Sequence, residues 1–411
     1  MLSGKDQAIF LPLWINLQSF SIPMGIEKIH IGRFLELAEN FPVLDVRSPS
    51  EYNHAHIPGA VSLPLFTDEE RKIVGTAYKQ QSRKAAIKIG LDFFGPKMRA
   101  MVEAVEKIME DWPGKATTRR KRQEDDFAKV GHDADSEGKS RQAMPVPATV
   151  LVHCWRGGMR SAGVAWLLDL YGFKVYTLIG GYKAFRNWVL KQFTEPYRLN
   201  ILGGFTGSGK TEVLAELRRM QEVTIDLEAL AGHKGSAFGN IGLPAQPTQE
   251  MFENKLALAL QGAWLAAQSS DKPIWLEDES QRIGTVNIPQ PLWSTMRSSP
   301  IYFLDIPFKA RLEHIVAEYG ALDKQKVLEA IARLQKRLGG LETKTAVQYL
   351  TEENVRECFR ILLSYYDKYY QKALNNRNNL ASLLSKIPCS GIQAAGNAMD
   401  VLKKTQSISV E

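Results

Sequence analysis

The stretch that decides the fold of the first half of the chain reads Val150-Leu-Val-His-Cys-Trp-Arg-Gly-Gly-Met-Arg-Ser161. The apolar residues before Cys154 predict a buried strand, and the apolar periodicity of 162–170 predicts a helix. Backbone N–H groups at the start of such a helix favour negative charge at the cysteine. Arg156 and Arg160 add positive charge, so we expect a thiol of lowered pKa that acts as a nucleophile. The alternative is a buried and inert cysteine, which would not require the flanking arginines and glycines.

Two further stretches contribute to the same expected sheet. The first, Phe41-Pro-Val-Leu-Asp-Val-Arg-Ser-Pro-Ser-Glu-Tyr-Asn-His-Ala-His-Ile-Pro-Gly-Ala60, predicts a strand ending near Asp45, a short helix and a turn. The second, Thr177-Leu-Ile-Gly-Gly-Tyr182, predicts a closing strand and loop. With the Cys154 loop they resemble a rhodanese domain, in which the cysteine carries a sulfane sulfur as a persulfide. The loop here is one residue longer than the usual pattern of Cys, four residues and Arg, which suits a larger anion or a different chalcogen donor.

The second half of the chain contains Gly204-Phe-Thr-Gly-Ser-Gly-Lys-Thr211, which matches the P-loop pattern in full. An apolar strand before this motif and a helix after it supply the required context, and the alternative is a plain glycine-rich turn. Backbone N–H groups of such a loop turn inward on a phosphate, the lysine reaches a terminal phosphate oxygen, and the Thr211 hydroxyl is a candidate Mg²⁺ ligand. The residues expected to bind phosphate are Gly204, Gly207, Ser208, Gly209, Lys210 and Thr211.

Three later segments add candidates for the phosphate site. Asp226 ends a short apolar strand. A polar loop follows, and it either offers His233 and Lys234 as anion contacts or is an ordinary surface loop. A further strand ends in acids and resembles a Walker B strand, in which Asp278 or Glu279 would face the metal. Asp278 is therefore a second candidate Mg²⁺ ligand, and the alternative is a pair of exposed acids at a strand end.

Composition limits the class of protein. A chain of 411 residues with 44% hydrophobic and 24% charged residues is typical of a soluble globular protein with two or more domains. Its three cysteines, Cys154, Cys358 and Cys389, exclude a disulfide framework and a zinc motif, which favours a cytoplasmic location. A net charge of +7 suits a polyanionic partner. No apolar run is long enough to span a bilayer, so we expect no membrane association.

We therefore predict an α/β protein with two main units and a helical end. A rhodanese-like parallel-sheet domain would occupy 25–195, and a P-loop NTPase-like α/β domain would occupy 196–310. The remaining predicted segments are an N-terminal extension at 1–24, a charged insertion without stable structure at 115–148, a helical C-terminal part at 311–385 and a loosely ordered tail at 386–411.

Seven motifs in order closely resemble the family of tRNA 2-selenouridine synthases, over roughly residues 40–375. They are Tyr78-Lys-Gln-Gln81, His153-Cys-Trp-Arg-Gly-Gly-Met-Arg-Ser161, Gly180-Gly-Tyr-Lys-Ala184, the P-loop, Asp226-Leu-Glu228, Gly235-Ser-Ala-Phe-Gly239 and Leu276-Glu-Asp-Glu-Ser280. The N-terminal extension and the charged insertion depart from the pattern of that family.

The resemblance implies an enzyme acting on a tRNA whose wobble uridine already carries sulfur at C2. Members of that family attach a geranyl group to this sulfur from geranyl diphosphate, then replace the S-geranyl group with selenium from selenophosphate. Cys154 would carry or guide the selenium, Arg156 and Arg160 would hold the incoming oxyanion, and the P-loop would hold a diphosphate. The implied partners are tRNA and a selenophosphate donor system, and no tightly bound cofactor is expected.

Two other functions stay open at this point. One is a rhodanese-type sulfurtransferase coupled to an ATP-dependent kinase-like module that acts on a small molecule. The other is a non-catalytic RNA-binding protein, against which the intact Cys154 and Lys210 argue. The two-step chemistry itself is reasonable, because sulfur doubly bonded to C2 leaves poorly, whereas alkylation makes C2 electrophilic and allows a thiol to leave.

The charged insertion gives a first testable prediction. The segment 115–142 carries eight basic and six acidic residues, and its large apolar residues are Phe127 and Val130. Such a composition cannot bury enough surface to offset the entropy of ordering, and a basic run, Arg119-Arg-Lys-Arg122, offers an RNA-contacting arm as the alternative role. Deleting 115–142 should leave the melting temperature nearly unchanged, since long surface insertions add little loop-closure entropy. A large drop in the melting temperature measured by calorimetry would contradict this prediction.

Overall fold

A computed structural model describes residues 25–112, 148–236, 238–320 and 323–408 of the chain. The predicted extension at 1–24 and the predicted insertion at 115–148, Ala148 excepted, lie outside these residues. Within the described ranges, no helix has both the length and the apolar character that crossing a bilayer requires.

The first half of the chain forms a parallel five-stranded sheet in the order β1-β5-β4-β2-β3. Its central strand β4 is buried from Val150 onward, as expected for an apolar run in a parallel sheet covered on both faces. The elements run in the order β1 Glu27–Ile29, α1 Ile31–Ala38, β2 Val43–Asp45, α2 Pro49–His54, β3 Val61–Ser62, α3 Asp68–Gln80, α4 Arg83–Phe94, α5 Met98–Asp111, β4 Thr149–His153, α6 Met159–Tyr171, β5 Lys174–Leu178 and α7 Gly181–Gln192.

The second half forms another parallel five-stranded sheet, in the order β12-β11-β6-β8-β7, with a small antiparallel pair, β9 and β10, beside it. The elements are β6 Leu199–Gly204, α8 Lys210–Arg219, β7 Val223–Ile225, α9 Leu227–Ala231, α10 Gln249–Ser270, β8 Ile274–Glu277, β9 Arg282–Ile283, β10 Val286–Asn287, α11 Gln290–Arg297, β11 Ile301–Asp305, α12 Phe308–Tyr319, α13 Lys324–Leu338, α14 Gly340–Thr351, α15 Val355–Asn375, α16 Leu380–Leu383, β12 Leu384–Pro388 and α17 Ala394–Ile408. The predicted α/β class is confirmed.

The two halves share one apolar core. Buried side chains of the first sheet, such as Leu151 and Leu178, belong to the same cluster as Ile201 and Leu276 of the second. Helices α7 and α10 pack against each other where the halves meet. Thr248 also joins them, because its hydroxyl accepts the Met251 N–H to cap α10 and donates to the His54 carbonyl oxygen at 2.6 Å. The halves are therefore packed together rather than only linked by chain.

The prediction of a loosely ordered tail at 386–411 is wrong for 386–408, and 409–411 lie outside the described residues. Strand β12 pairs in parallel with β11 and completes the second sheet, and helix α17 packs on α8. Ile387, Ala398 and Val401 are buried against Trp275 and Leu217. The P-loop domain was predicted to end at residue 310. Its sheet instead includes β12, because the chain returns to the sheet after the helices. A short edge strand with few apolar residues gives little periodic signal, so its packing could not be predicted locally.

Strand β12 gives a prediction on stability. Ile387 is 4% exposed, so replacing it by alanine leaves a cavity and should lower the free energy of unfolding by about 2–5 kcal/mol. The neighbouring Lys386 is exposed, and Lys386→Ala is the matched control, expected to change stability by less than about 0.5 kcal/mol. Urea denaturation measures both values. Equal effects of the two substitutions would show that β12 does not pack as described.

Candidate functional site

Cys154 lies at the carboxyl end of the central strand of the first sheet. Strand β4 stops at His153, and the loop then turns into α6 at Met159. The first turn of α7 holds this loop from the other side. The N–H of Tyr182 donates to the Cys154 carbonyl oxygen at 2.8 Å, and the N–H of Lys183 donates to the Trp155 carbonyl oxygen at 3.0 Å. The loop is thereby fixed between the starts of α6 and α7. The predicted position of Cys154 between a strand and a helix agrees with this structure.

Two glycines allow this close approach. Gly181 has φ +59, and a Cβ atom there would lie 2.3 Å from the Cys154 carbonyl oxygen. Gly157 has φ +64, and a Cβ atom there would lie 2.5 Å from the Leu178 carbonyl oxygen. Side chains at either position would combine backbone strain with a clash against backbone, so the curl of the loop around the sulfur depends on both glycines.

The thiol of Cys154 is buried and hydrogen-bonded. Its side chain is 3% exposed, and Sγ lies 3.2 Å from Oγ of Ser161 in the first turn of α6. Burial alone would raise the pKa of the thiol, but hydrogen bonds from the Ser161 hydroxyl, the Ser161 N–H and the Arg156 N–H outweigh it. The pKa of Cys154 therefore lies below its usual value, which favours the nucleophilic thiolate.

The two arginines contribute less to the thiol than expected from the sequence. Arg160 Nη1 donates to Glu51 Oε2 at 2.8 Å, and its charge lowers the pKa of Cys154 less than the hydrogen bonds do. Burial acts to raise the pKa of Glu51, but the hydrogen bond and charge of Arg160 outweigh it and lower this pKa to about 2. Arg156 is exposed and acts on the thiol through its backbone N–H. Among the described residues, the Arg156 side chain has no hydrogen-bond or ion-pair partner, so it is free to bind an incoming anion.

Beneath the loop lies a buried polar cluster that the sequence analysis did not identify. Arg47 is 1% exposed and pairs with Asp45, whose Oδ2 lies 2.6 Å from Arg47 Nη2. The Arg47 guanidinium also lies 3.8 Å from the ring centroid of Tyr182. The sequence signal for this cluster was the polar pair Asp45 and Arg47 at the end of an otherwise apolar strand, because such charges are buried only when paired.

The P-loop has the geometry that its sequence predicts. It joins β6 to α8, and Gly204, Gly207 and Gly209 all have positive φ. Lys210 Nζ donates to the Gly204 carbonyl oxygen at 3.2 Å, so the ammonium group lies across the mouth of the loop. Ser208 Oγ is buried without a hydrogen-bond partner among the described residues.

Two carboxylates lie next to the P-loop threonine. Thr211 Oγ1 donates to Glu228 Oε2 at 3.3 Å. Glu279 lies beside Glu228, since a Cβ atom on Gly235 would lie 2.8 Å from Glu228 Oε1 and 2.7 Å from Glu279 Oε2. Burial and the neighbouring carboxylates raise the pKa of both acids against the lowering effect of Lys210. Carboxylate oxygens beside a P-loop hydroxyl are the ligand type that Mg²⁺ prefers. Glu228 was missed as a site residue, although it lies two residues after Asp226.

Asp278 faces away from this cluster. Tyr370 Oη donates to its Oδ2 at 2.6 Å, and the Arg377 guanidinium binds its Oδ1. Both oxygens are thus occupied by residues of the helical part, so of the two acids considered for the metal, Glu279 is the one beside the P-loop. Among the described residues, no group of three or more His, Cys, Asp or Glu side chains forms a ready metal site.

The other candidates have mainly structural partners. Asp226 caps α9, with Oδ1 accepting the Ala229 N–H at 2.8 Å. Burial lowers the pKa of His233, which disfavours a charged ring. Lys234 Nζ lies 2.5 Å from Glu318 Oε1, which neutralises its charge. Neither His233 nor Lys234 is therefore available as an unpaired cation to bind a phosphate.

A hydrogen-bonded interface joins the two sites. The Tyr182 hydroxyl donates to Glu250 Oε1 at 2.8 Å and accepts from Asn254 Nδ2 at 2.8 Å. Asn254 also donates to the His56 carbonyl oxygen at 2.9 Å. Arg186 pairs with Glu253 across the same surface. The residue that clamps the Cys154 loop is therefore also bonded to α10 of the P-loop half.

Comparisons with known proteins agree with this arrangement. Residues 197–386 match the family model described as the tRNA 2-selenouridine synthase AAA domain, and residues 32–89 match the rhodanese-like domain model. The tRNA 2-selenouridine synthase of Nitrosomonas eutropha is 32% identical over 386 residues, covering 82% of this chain and 89% of that protein. That of Bdellovibrio bacteriovorus is 31% identical over 382 residues, covering 83% and 90%.

The thiol site gives a prediction on reactivity. Ser161→Ala removes the hydroxyl beside Cys154 and should lower the rate of alkylation by iodoacetamide at pH 7 by about tenfold, since hydrogen bonds to charged groups contribute about 1.5–3 kcal/mol. The midpoint of the rate against pH should move upward. Arg160→Ala should have a smaller effect, because Glu51 already pairs with that charge. A larger effect of Arg160→Ala would show that arginine charge, and not Ser161, sets the reactivity of the thiol.

Proposed function

The chain belongs to the tRNA 2-selenouridine synthase family, and we propose that it converts the wobble 2-thiouridine of tRNA to 2-selenouridine in two half-reactions. The observation that carries the proposal is the pairing, in one packed molecule, of a buried hydrogen-bonded thiol with a complete P-loop. The thiol is suited to chalcogen chemistry, and the P-loop is suited to binding a diphosphate. A tRNA substrate leads us to expect the protein in the cytoplasm.

The first half-reaction is assigned to the P-loop half. The sulfur of 2-thiouridine attacks C1 of geranyl diphosphate, the bond from C1 to oxygen breaks, and diphosphate leaves. The ammonium of Lys210 and the N–H groups of the loop stabilise the charge that develops on the leaving oxygens. Where Mg²⁺ takes part, Thr211 and the adjacent Glu228 and Glu279 would hold it, and it would add further charge stabilisation.

The second half-reaction is assigned to Cys154. The S-alkylated C2 is electrophilic, so the selenium of selenophosphate attacks C2, the bond from C2 to sulfur breaks and geranylthiol leaves. Water then cleaves the bond from selenium to phosphorus, which releases phosphate and 2-selenouridine. The thiolate and the surrounding N–H groups guide the selenium donor toward C2, and the exposed side chain of Arg156 is suited to hold the phosphate part of the donor. The support for this assignment is the lowered pKa of the thiol at the end of β4.

A pair of variants tests the division of labour. Lys210→Ala should block geranylation, yet it should still convert geranylated tRNA to the selenated product. Cys154→Ser should leave geranylation intact and accumulate geranylated tRNA, because a hydroxyl is not ionised at neutral pH and cannot replace the thiolate. Nucleoside mass spectrometry of tRNA supplied with geranyl diphosphate and selenophosphate measures each product.

Cys358→Ala is the matched control for the cysteine variant. Cys358 is buried in the helical part, and burial raises the pKa of its thiol to about 12, so it should be chemically silent. Selenated product from Cys154→Ser would remove the thiol from the mechanism. Failure of Lys210→Ala on geranylated tRNA would show that the P-loop serves both steps. ATP-dependent sulfur transfer to a small molecule, with tRNA unchanged, would instead favour the sulfurtransferase alternative.

A further inference from the structure

A cavity of about 570 Å³ opens between the P-loop and helix α15. One wall is Phe205, which follows the first glycine of the P-loop. The other wall is one face of the last turns of α15, and it consists of Asp367, Lys368, Gln371, Lys372, Asn375 and Asn376. None of the roles assigned above uses this cavity, although it borders the loop that would hold the diphosphate.

Phe205 is held rigidly at the edge of the cavity. Its ring makes edge contacts with Phe303 and Tyr370, at centroid distances of 5.2 and 5.6 Å. The Arg311 guanidinium lies 4.9 Å from the centroid of the same ring. Phe205 nevertheless stays partly exposed. A fixed, partly exposed aromatic ring offers a stacking or edge contact to a planar ligand with little loss of side-chain entropy.

The charge balance of the cavity is positive. Asp367 forms a bidentate pair with Arg311, with distances of 2.9 and 2.7 Å, so its charge is neutralised. Lys368 and Lys372 lie one helical turn apart and are both exposed. Within the part of the chain that the structure describes, neither ammonium group has a carboxylate partner. Two cations with this spacing are therefore available to a polyanion.

The remaining lining residues supply hydrogen-bonding groups for a base. Gln371 donates to Asn375 Oδ1 at 2.9 Å, which leaves the Gln371 carbonyl oxygen and the Asn375 amide hydrogens available. The Asn376 side chain adds a further amide. Side-chain amides present a donor and an acceptor together, which matches the edge of a nucleobase.

We propose that this cavity binds a nucleotide of single-stranded RNA from the anticodon loop, with the base against Phe205 and the backbone phosphates on Lys368 and Lys372. An aromatic ring beside a basic groove is the combination that single-stranded nucleic acids require. The inference rests on the proposed function and deepens it, because it places the acceptor RNA against the outer wall of the P-loop.

Direct RNA binding tests the proposal without relying on catalysis. The probe is an anticodon stem-loop RNA with 2-thiouridine at the wobble position, titrated with the full-length protein between 50 and 200 mM salt. Lys368→Gln/Lys372→Gln should reduce the slope of log Kd against log salt by about 1.4, at about 0.7 per phosphate contact on a single strand. Phe205→Leu should weaken binding about fivefold without changing this slope, because stacking is lost and charge is kept.

Lys84→Gln/Lys88→Gln is the matched control. These exposed lysines have the same spacing on α4, in the other half of the molecule, and the double substitution removes the same charge. An equal change of slope in this control, or wild-type binding by both cavity variants, would overturn the inference. So would unchanged RNA binding together with weakened binding of inorganic diphosphate or geranyl diphosphate, since the cavity would then serve the donor. A wild-type protein that does not bind the RNA would contradict the proposed function itself.

Discussion

The arrangement of both sites depends on Tyr182. This residue is fully buried, and its backbone N–H holds the Cys154 carbonyl oxygen while its hydroxyl is bonded to Glu250 and Asn254. Its ring also covers the guanidinium of Arg47. A buried phenol hydroxyl is costly unless it is paired, so the loop around the thiol and the start of α10 are held in one geometry. Any displacement of one half against the other would break these bonds together.

The helical part is fixed to the P-loop by a second set of buried charges. Asp278, at the end of β8, binds Tyr370 and Arg377, and Arg311 binds both Asp367 and the Thr206 carbonyl oxygen. Separating such pairs would leave an uncompensated buried charge, which is strongly unfavourable. These contacts hold helix α15 against the P-loop. The cavity at Phe205 therefore lies between two elements that these buried contacts hold together.

Much of the fold could be predicted because its main signals are local. Strand β4 has a continuous apolar centre and β6 is mainly apolar, and each leads into a glycine-containing loop and a helix. A central parallel strand buried on both faces must have such a composition, so the pattern is strong. Strand β12 was not predicted, because an edge strand with Ile387 as its buried residue has no periodic signal of its own.

The sequence by itself determined which groups are able to do chemistry. Cys154, Lys210 and Thr211 lie in loops whose glycine spacing sets their conformation, and such short-range sterics are encoded within a few residues. Only the tertiary structure decided the electrostatic state of these groups. Glu51, which neutralises Arg160, is 109 residues away along the chain, and Asp278 finds partners 92 and 99 residues further on. Burial and Coulomb interactions depend on distance in space. The effect of a charged residue on the pKa of another group is therefore set by the neighbours that the folded chain brings to it.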